Sequence, residues 1–357
     1  MRMVRWIVLT AGLLVAATGL AEDRVVYAKV SRDAPVVLPR DHGAHPEFKT
    51  EWWYVTGWLQ TGKGPVGFQI TFFRSRVPFD DGNPSRFAAR QVIVGHVALA
   101  DPAVGHLDHG QRIAREGFGL AEAKTGDTDV VLDDWRLVRN RDGTFTAHAG
   151  ANGFTLDLHL TPAQAALLQG ENGYSRKGPD EGEASAYFSM PHLSVSGQLT
   201  RGGQAESIHG EAWLDREWSS SFLNPRSVGW DWAGLNMDDG SAVTVFRVRD
   251  AQGHPVWAGG SVRQADGALI HLGPGDVTFA TRRTWLSART GAEYPVETTV
   301  SVKTPTGTKR FDLRPLLDDQ ELDTRPTGGP VYWEGAVQVE GGRGYLELVG
   351  YGAKVNL

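Results

Sequence analysis

The feature that most restricts this chain is its punctuation. Short runs of alternating character recur, among them Gly67-Phe68-Gln69-Ile70-Thr71-Phe72-Phe73, Phe154-Thr155-Leu156-Asp157-Leu158-His159-Leu160 and Val243-Thr244-Val245-Phe246-Arg247-Val248. Glycine-bearing turns separate such runs at Gly62-Lys63-Gly64, Arg141-Asp142-Gly143, Asp238-Asp239-Gly240 and Ala265-Asp266-Gly267. A period of two sends successive side chains to opposite faces of an extended strand, and strands spaced every ~8–12 residues build sandwiches or barrels. The 44 Gly among 357 residues supply the turns, and the 12 Trp supply packing plates or ligand walls. Helical patterning is confined to two short candidates. One is Thr161–Leu168, with a Thr cap and Pro162 at the first helical position; the other is Leu313–Leu322 around Pro315. The expected fold is all-β.

At the N-terminus, Arg2 and Arg5 precede an apolar stretch from Trp6 to Ala17, followed by Gly19-Leu20-Ala21 and the charged pair Glu22-Asp23. This order describes a secretory signal peptide over residues 1–21, too short for the ~20 apolar residues that span a bilayer. It predicts a periplasmic or secreted protein with no transmembrane segment after signal removal. The chain has no Cys, which excludes disulfide scaffolds, thiol enzymes and Cys-ligated metals. Core packing alone must hold it, as a chain of this size allows. Its formal charge is -6 with both signs scattered, so no basic stripe is available for nucleic acid. The 11 His include His106-Leu107-Asp108-His109 but no metalloprotease helix motif. Nucleophile elbow, Walker loop and dinucleotide fingerprint are all missing. Neither a cofactor nor a metal is expected.

A weak duplication organises the strands. Trp53-Tyr54-Val55-Thr56-Gly57 aligns with Trp230-Asp231-Trp232-Ala233-Gly234, and Phe73-Arg74-Ser75-Arg76 with Phe246-Arg247-Val248-Arg249. Further on, the stretch from Gly95 to Asp101 stands opposite that from Gly260 to Asp266, and Trp135 roughly opposite Trp285. This predicts two similar antiparallel barrels with a junction near residues 218–229. Barrels of about eight strands leave room for side chains or one small ligand.

Three clusters carry candidate chemistry. In His45-Pro46-Glu47-Phe48-Lys49-Thr50-Glu51-Trp52-Trp53-Tyr54, a strand puts Glu51 and Trp53 on one face and Trp52 and Tyr54 on the other. Glu51 reads either as a buried proton donor of raised pKa or as the structural partner of Arg74 or Arg76. In Asp215-Arg216-Glu217-Trp218, the two acids share a face and Arg216 points away. Such a pair could divide acid and base roles, hydrolyse a glycoside, or form a surface ion-pair ladder. Gly229-Trp230-Asp231-Trp232 opens the second barrel with indoles on one face and Asp231 on the other; core packing is its plain reading.

Several longer stretches carry a family resemblance: HPEFKTEWWYVTG from His45, GHVALAD from Gly95, RIAREGFGLA from Arg112, YFSMPHLSVSG from Tyr187, AWLDREWSSSFL from Ala212, GWDWAGLNMDDGSA from Gly229, DQELDTR from Asp319 and YWEGAVQVEG from Tyr332. From about residue 40 onward the chain resembles the AttH-like and carotenoid 1,2-hydratase-like proteins, a lipocalin-related group. The resemblance implies two lipocalin-like (calycin) barrels side by side, taken here as residues 22–220 and 221–357. It also implies either a carrier of a hydrophobic lipid or isoprenoid linked to an envelope ABC transporter, or a cofactor-independent hydratase of isoprenoid double bonds. A carbohydrate-active protein is a weaker alternative. The candidate catalytic residues are Glu51, Asp215, Glu217 and Asp231; the candidate ligand contacts are His45, Trp52, Trp53, Tyr54, Trp218, Trp230 and Trp232. Against the hydratases' Asp-His-Asn-Trp pattern, Asp215 and Trp218 match, while Arg216 and Glu217 replace His and Asn. A guanidinium does not shuttle protons as imidazole does.

Overall fold

The computed structural model describes residues 25–78, 84–151 and 153–355. The expected signal segment, residues 1–21, lies outside the described residues. Two antiparallel sheets of 13 and 10 strands make up the fold, and the only helical elements among the described residues are the three-residue turns Arg40–His42 and Arg325–Thr327.

The first sheet runs from Leu107–Arg115 through Gln91–Ala100, Gly64–Arg76 and Thr50–Thr61 to Gln204–Ser221, then through Ala184–Arg201, Phe154–Pro162 and Phe145–Ala151 to three short strands. It curls until Gln91–Ala100 and Leu107–Arg115 lie against Ala121–Ala123, Asp129–Leu132 and Phe145–Ala151. Gly95 permits that closure, since a Cβ there would come within 2.9 Å of both Leu132 and Trp135. The second sheet begins with the same kind of meander, Leu269–Leu272, Pro255–Arg263, Ala242–Asp250 and Ser227–Met237. It continues through Gly342–Val349, Val331–Val339, Gly307–Pro315 and Glu293–Thr304 to Val277–Leu286, which folds back against Ala242–Asp250 and Pro255–Arg263.

Alternation decides where the cores sit. Thr50–Thr61 sends Trp53, Val55 and Leu59 into the first barrel, where they meet Phe68, Phe72 and Phe188. Its other face sends Tyr54 and Trp58 against Trp232, Phe246 and Tyr345 of the second barrel. Leu235, Val243, Trp333 and Leu346 fill the second interior. Each large apolar side chain so buried contributes about 1.5–3 kcal/mol, and strands apolar on both faces require a partner on both. At Gly67 the barrels touch: a Cβ would stand 2.6 Å from Ala336 Cβ and 3.0 Å from Tyr345 Oη.

Each interior also holds one carboxylate between two guanidiniums. Glu51, fully buried, pairs with Arg74 directly across the hairpin and with Arg216, whose guanidinium lies 3.9 Å from the Trp53 ring. Asp231 pairs at 2.5 Å with Arg247, again directly opposite, and at 2.9 Å with Arg249. The strand pairing therefore matches Glu51 with Asp231 and Trp52 with Trp232, rather than Trp53 with Trp230 as the Trp-anchored alignment has it. Arg74 is the structural partner anticipated for Glu51.

Neither predicted helix forms. Thr161 and Pro162 continue a strand opposite Ser194 and Leu193, Leu167–Leu168 pairs with Ser189 and Phe188, and the Ala165 carbonyl is taken by Arg263 Nη1 at 2.6 Å. Leu313 belongs to Gly307–Pro315 and to the second core, while Glu321–Asp323 pairs with Val331–Val339. Tertiary pairing overrides a weak local preference in both places.

Glu51→Gln leaves two buried cations without their counter-charge and should cost about 3–5 kcal/mol in urea unfolding at neutral pH. Its two guanidiniums hold the Glu51 pKa below the ordinary 4.5 despite burial. This stabilisation is present above pH 4.5 and fades as pH falls toward the depressed native value, a dependence the variant should lack.

Candidate functional site

The outward faces of the two hairpins enclose a cavity of about 130 Å³ in the seam between the barrels. Trp52 and Phe73, cross-strand neighbours in the first barrel, face it together with Trp232 and Phe246, cross-strand neighbours in the second. Tyr54, Phe222, Leu223 and Trp230 complete an apolar wall. Into this wall are set Asp215, Glu217, Glu334, Glu347 and Lys177.

The carboxyl groups differ in their surroundings. Asp215 Oδ1 accepts from Ser189 Oγ at 2.5 Å and Trp213 Nε1 at 2.8 Å, and its Oδ2 accepts from Tyr187 Oη at 2.7 Å. Tyr187 Oη in turn accepts from Trp232 Nε1 at 3.0 Å. Burial outweighs these donors and pushes the Asp215 pKa up to about 7. Glu217 is matched instead by Lys177 Nζ at 3.1 Å and by the Ser185 hydroxyl. The Lys177 ammonium also lies 4.2 Å from the Phe246 ring centroid and 4.5 Å from that of Tyr187.

Glu347 has a single donor, Trp230 Nε1, at 3.1 Å from Oε2. Deep in the molecule yet only partly buried, its carboxyl keeps surface toward the cavity. Burial, then the negative charges of Glu217, Asp215 and Asp231, push its pKa up to about 7 against the indole donor. Glu334 stands directly across the strand pair from it, held well above the carboxylate range by burial and by Glu347, with Gln69 Nε2 donating to it at 2.8 Å. A carboxyl in an apolar wall is thus available in its protonated form near neutrality, beside aromatic faces suited to positive charge. No group of three or more side chains among the described residues is arranged to hold a metal ion.

Of the residues singled out by sequence, Trp52, Tyr54, Asp215, Glu217, Trp230 and Trp232 converge on this cavity. Glu51 and Trp53 do not: they lie inside the first barrel, and two guanidiniums keep Glu51 ionised, so it is no proton donor. His45 and Trp218 stack at 3.9 Å on that side of the first barrel, His45 giving its backbone N–H to Glu51 at 2.9 Å. Asp231 is enclosed in the second barrel by Arg247, Arg249 and Tyr351 Oη at 2.9 Å. Sequence reasoning missed Glu334 and Glu347. Their signal is an acid at an alternate position of an otherwise apolar strand, Trp333-Glu334-Gly335-Ala336 and Tyr345-Leu346-Glu347-Leu348.

Fold and cleft together define a two-barrel, lipocalin-like protein with an acid-bearing seam. More narrowly, the chain belongs to the AttH-like family, whose profile matches residues 29–351. It is similar to a crystal structure of an AttH candidate from Nitrosomonas europaea, at 51% identity and TM-score 0.84 over 92% of this chain and 100% of that one. Kievitone hydratase from Nectria haematococca shares the fold at 15% identity and TM-score 0.67, over 92% of this chain and 98% of that one. CghA does so at 13% identity and TM-score 0.53, over 94% and 98% respectively. Among curated proteins no sequence matches.

A carboxyl that keeps its proton in the native state lowers stability as pH rises. For Glu347 the window runs from the ordinary 4.5 to about 7, where the unfolded chain has already lost the proton. Native stability should fall by roughly 3 kcal/mol across it at ~1.36 kcal/mol per pH unit. In urea titrations at a series of pH values, Glu347→Gln should flatten that part of the slope and unfold later than the parent at pH 8.

Proposed function

We propose that this protein is an acid catalyst that adds water across a double bond of an apolar, unsaturated small molecule held in the seam cavity. Glu347 donates the proton, the rings of Trp52, Trp230 and Trp232 face the developing cation, and water captures it. Asp215, coupled through Tyr187 to Trp232, supplies a second carboxyl to take up the proton that water releases. Such chemistry calls for no cofactor. One observation carries the reading: a carboxyl with an elevated pKa, bonded by a single indole and open to an apolar cavity. At about 130 Å³ the cavity holds only part of a substrate, such as one prenyl end; whole drug-sized ligands occupy ~300–1,000 Å³.

The carrier reading uses the same walls but leaves the carboxyls without a role. In it, an exported chain would hand its ligand to an envelope ABC transporter. Glycoside hydrolysis by Asp215 with Glu217 is disfavoured because Lys177 already neutralises Glu217.

The test is incubation of the purified protein with a panel of prenyl-type alkenes in ¹⁸O-water, followed by mass spectrometry. A hydrated product carrying the label is expected, and Glu347→Gln and Asp215→Asn should each slow it by about 10²–10⁴-fold. An alkene recovered bound and unchanged would instead favour the carrier.

A further inference from the structure

A second cleft, of about 590 Å³, lies away from the seam cavity, between the segment Gln164–Leu168 of the first barrel and the strands Pro255–Arg263 and Leu269–Leu272 of the second. Its volume falls in the range of small-molecule sites. Leu167, Leu168 and Leu269 give it an apolar wall, and Leu269 is 42% exposed.

The cation in its wall is unusual for this molecule. Five Lys or Arg residues are buried among the described residues: Arg74, Lys177, Arg216, Arg249 and Arg263. The first four each face a carboxylate: Glu51 for Arg74 and Arg216, Glu217 for Lys177, Asp231 for Arg249. Arg263, 9% exposed, has none. Its Nη1 donates to the Ala165 carbonyl at 2.6 Å, while Nε and Nη2 have no partner. The acid on the same cleft, Asp266, accepts from the Ala268 backbone N–H at 2.9 Å instead. Gln164 contributes a second buried polar atom without a partner, Oε1, its Nε2 being used on the Gly240 carbonyl at 2.9 Å. A buried guanidinium without counter-charge is costly unless something neutralises it, and its planar fork matches carboxylate and phosphate oxygens.

We propose that this cleft binds a small organic oxyanion, a carboxylate or phosphate with an apolar body, whose charge Arg263 neutralises while Leu167, Leu168 and Leu269 hold the body. Arg263 lines the cleft with two buried nitrogens that have no partner, and these are the donors an oxyanion would take up. This site is independent of the seam chemistry.

Isothermal titration of the full chain with sodium octanoate, octyl phosphate and inorganic phosphate tests the assignment. Saturable binding of octanoate or octyl phosphate is expected, and whichever binds tighter identifies the headgroup. Arg263→Met should weaken it at least tenfold, Arg263→Lys less, and Glu347→Gln not at all. Because Arg263 has no acid partner to strand, Arg263→Met should melt no earlier than the parent without ligand. Should that variant fail to fold, Leu269→Glu, a like charge on the exposed wall, must weaken binding comparably. Absence of saturable binding, binding of inorganic phosphate alone, affinity undiminished in a folded Arg263→Met or, where that variant does not fold, affinity undiminished in Leu269→Glu would overturn the proposal.

Discussion

Everything in this architecture depends on central strands that are buried on both faces. In an antiparallel sheet exposed to water on one side, every second residue is polar and the sheet can stand alone. Here Thr50–Thr61 and Ser227–Met237 carry large side chains on both faces, one set for their own barrel and one for the neighbour. Two consequences follow. The barrels cannot separate without exposing Tyr54, Trp58, Trp232 and Tyr345, and any cavity they form is bounded by residues that face away from both interiors.

The distribution of charge obeys the same geometry. Two inward acids at equivalent places in the barrels are neutralised by arginines, Glu51 by Arg74 and Arg216 and Asp231 by Arg247 and Arg249. Seam acids meet mainly neutral donors: indole, phenol, hydroxyl and amide. The first arrangement sets each carboxylate between two cations inside a barrel and serves folding. The second lets burial favour the protonated form of Asp215, Glu334 and Glu347, the feature on which the proposed chemistry rests. Arg216 belongs to the first: it stands inside the barrel on Glu51, and Asp215 beside it in sequence stands outside.

Much of this was legible before any coordinates. Alternation with glycine turns predicts the all-β fold, and the repeated hairpin announces two related sheets. Its register was not legible, because tryptophans on both faces of each strand offer several alignments; the cross-strand pairs Glu51–Arg74 and Asp231–Arg247 resolve it. The shared face of Asp215 and Glu217 could be read from spacing, but their different fates could not. Lys177 reaches Glu217 and Tyr187 reaches Asp215 only through neighbouring strand geometry distant in sequence. Glu347 escaped notice for the same reason. A lone acid in an apolar strand looks like a solvent-facing residue until another sheet is laid over it.

Placing the cavity in a seam has an evolutionary corollary. Substitutions at Trp52, Phe73, Leu223 or Phe246 alter the walls without touching the packing that closes either barrel. A larger side chain at Gly67, where the barrels approach at Ala336, would instead force them apart and reshape the chamber as a whole. The shape and polarity of the chamber can therefore change while the residues that close each barrel stay the same.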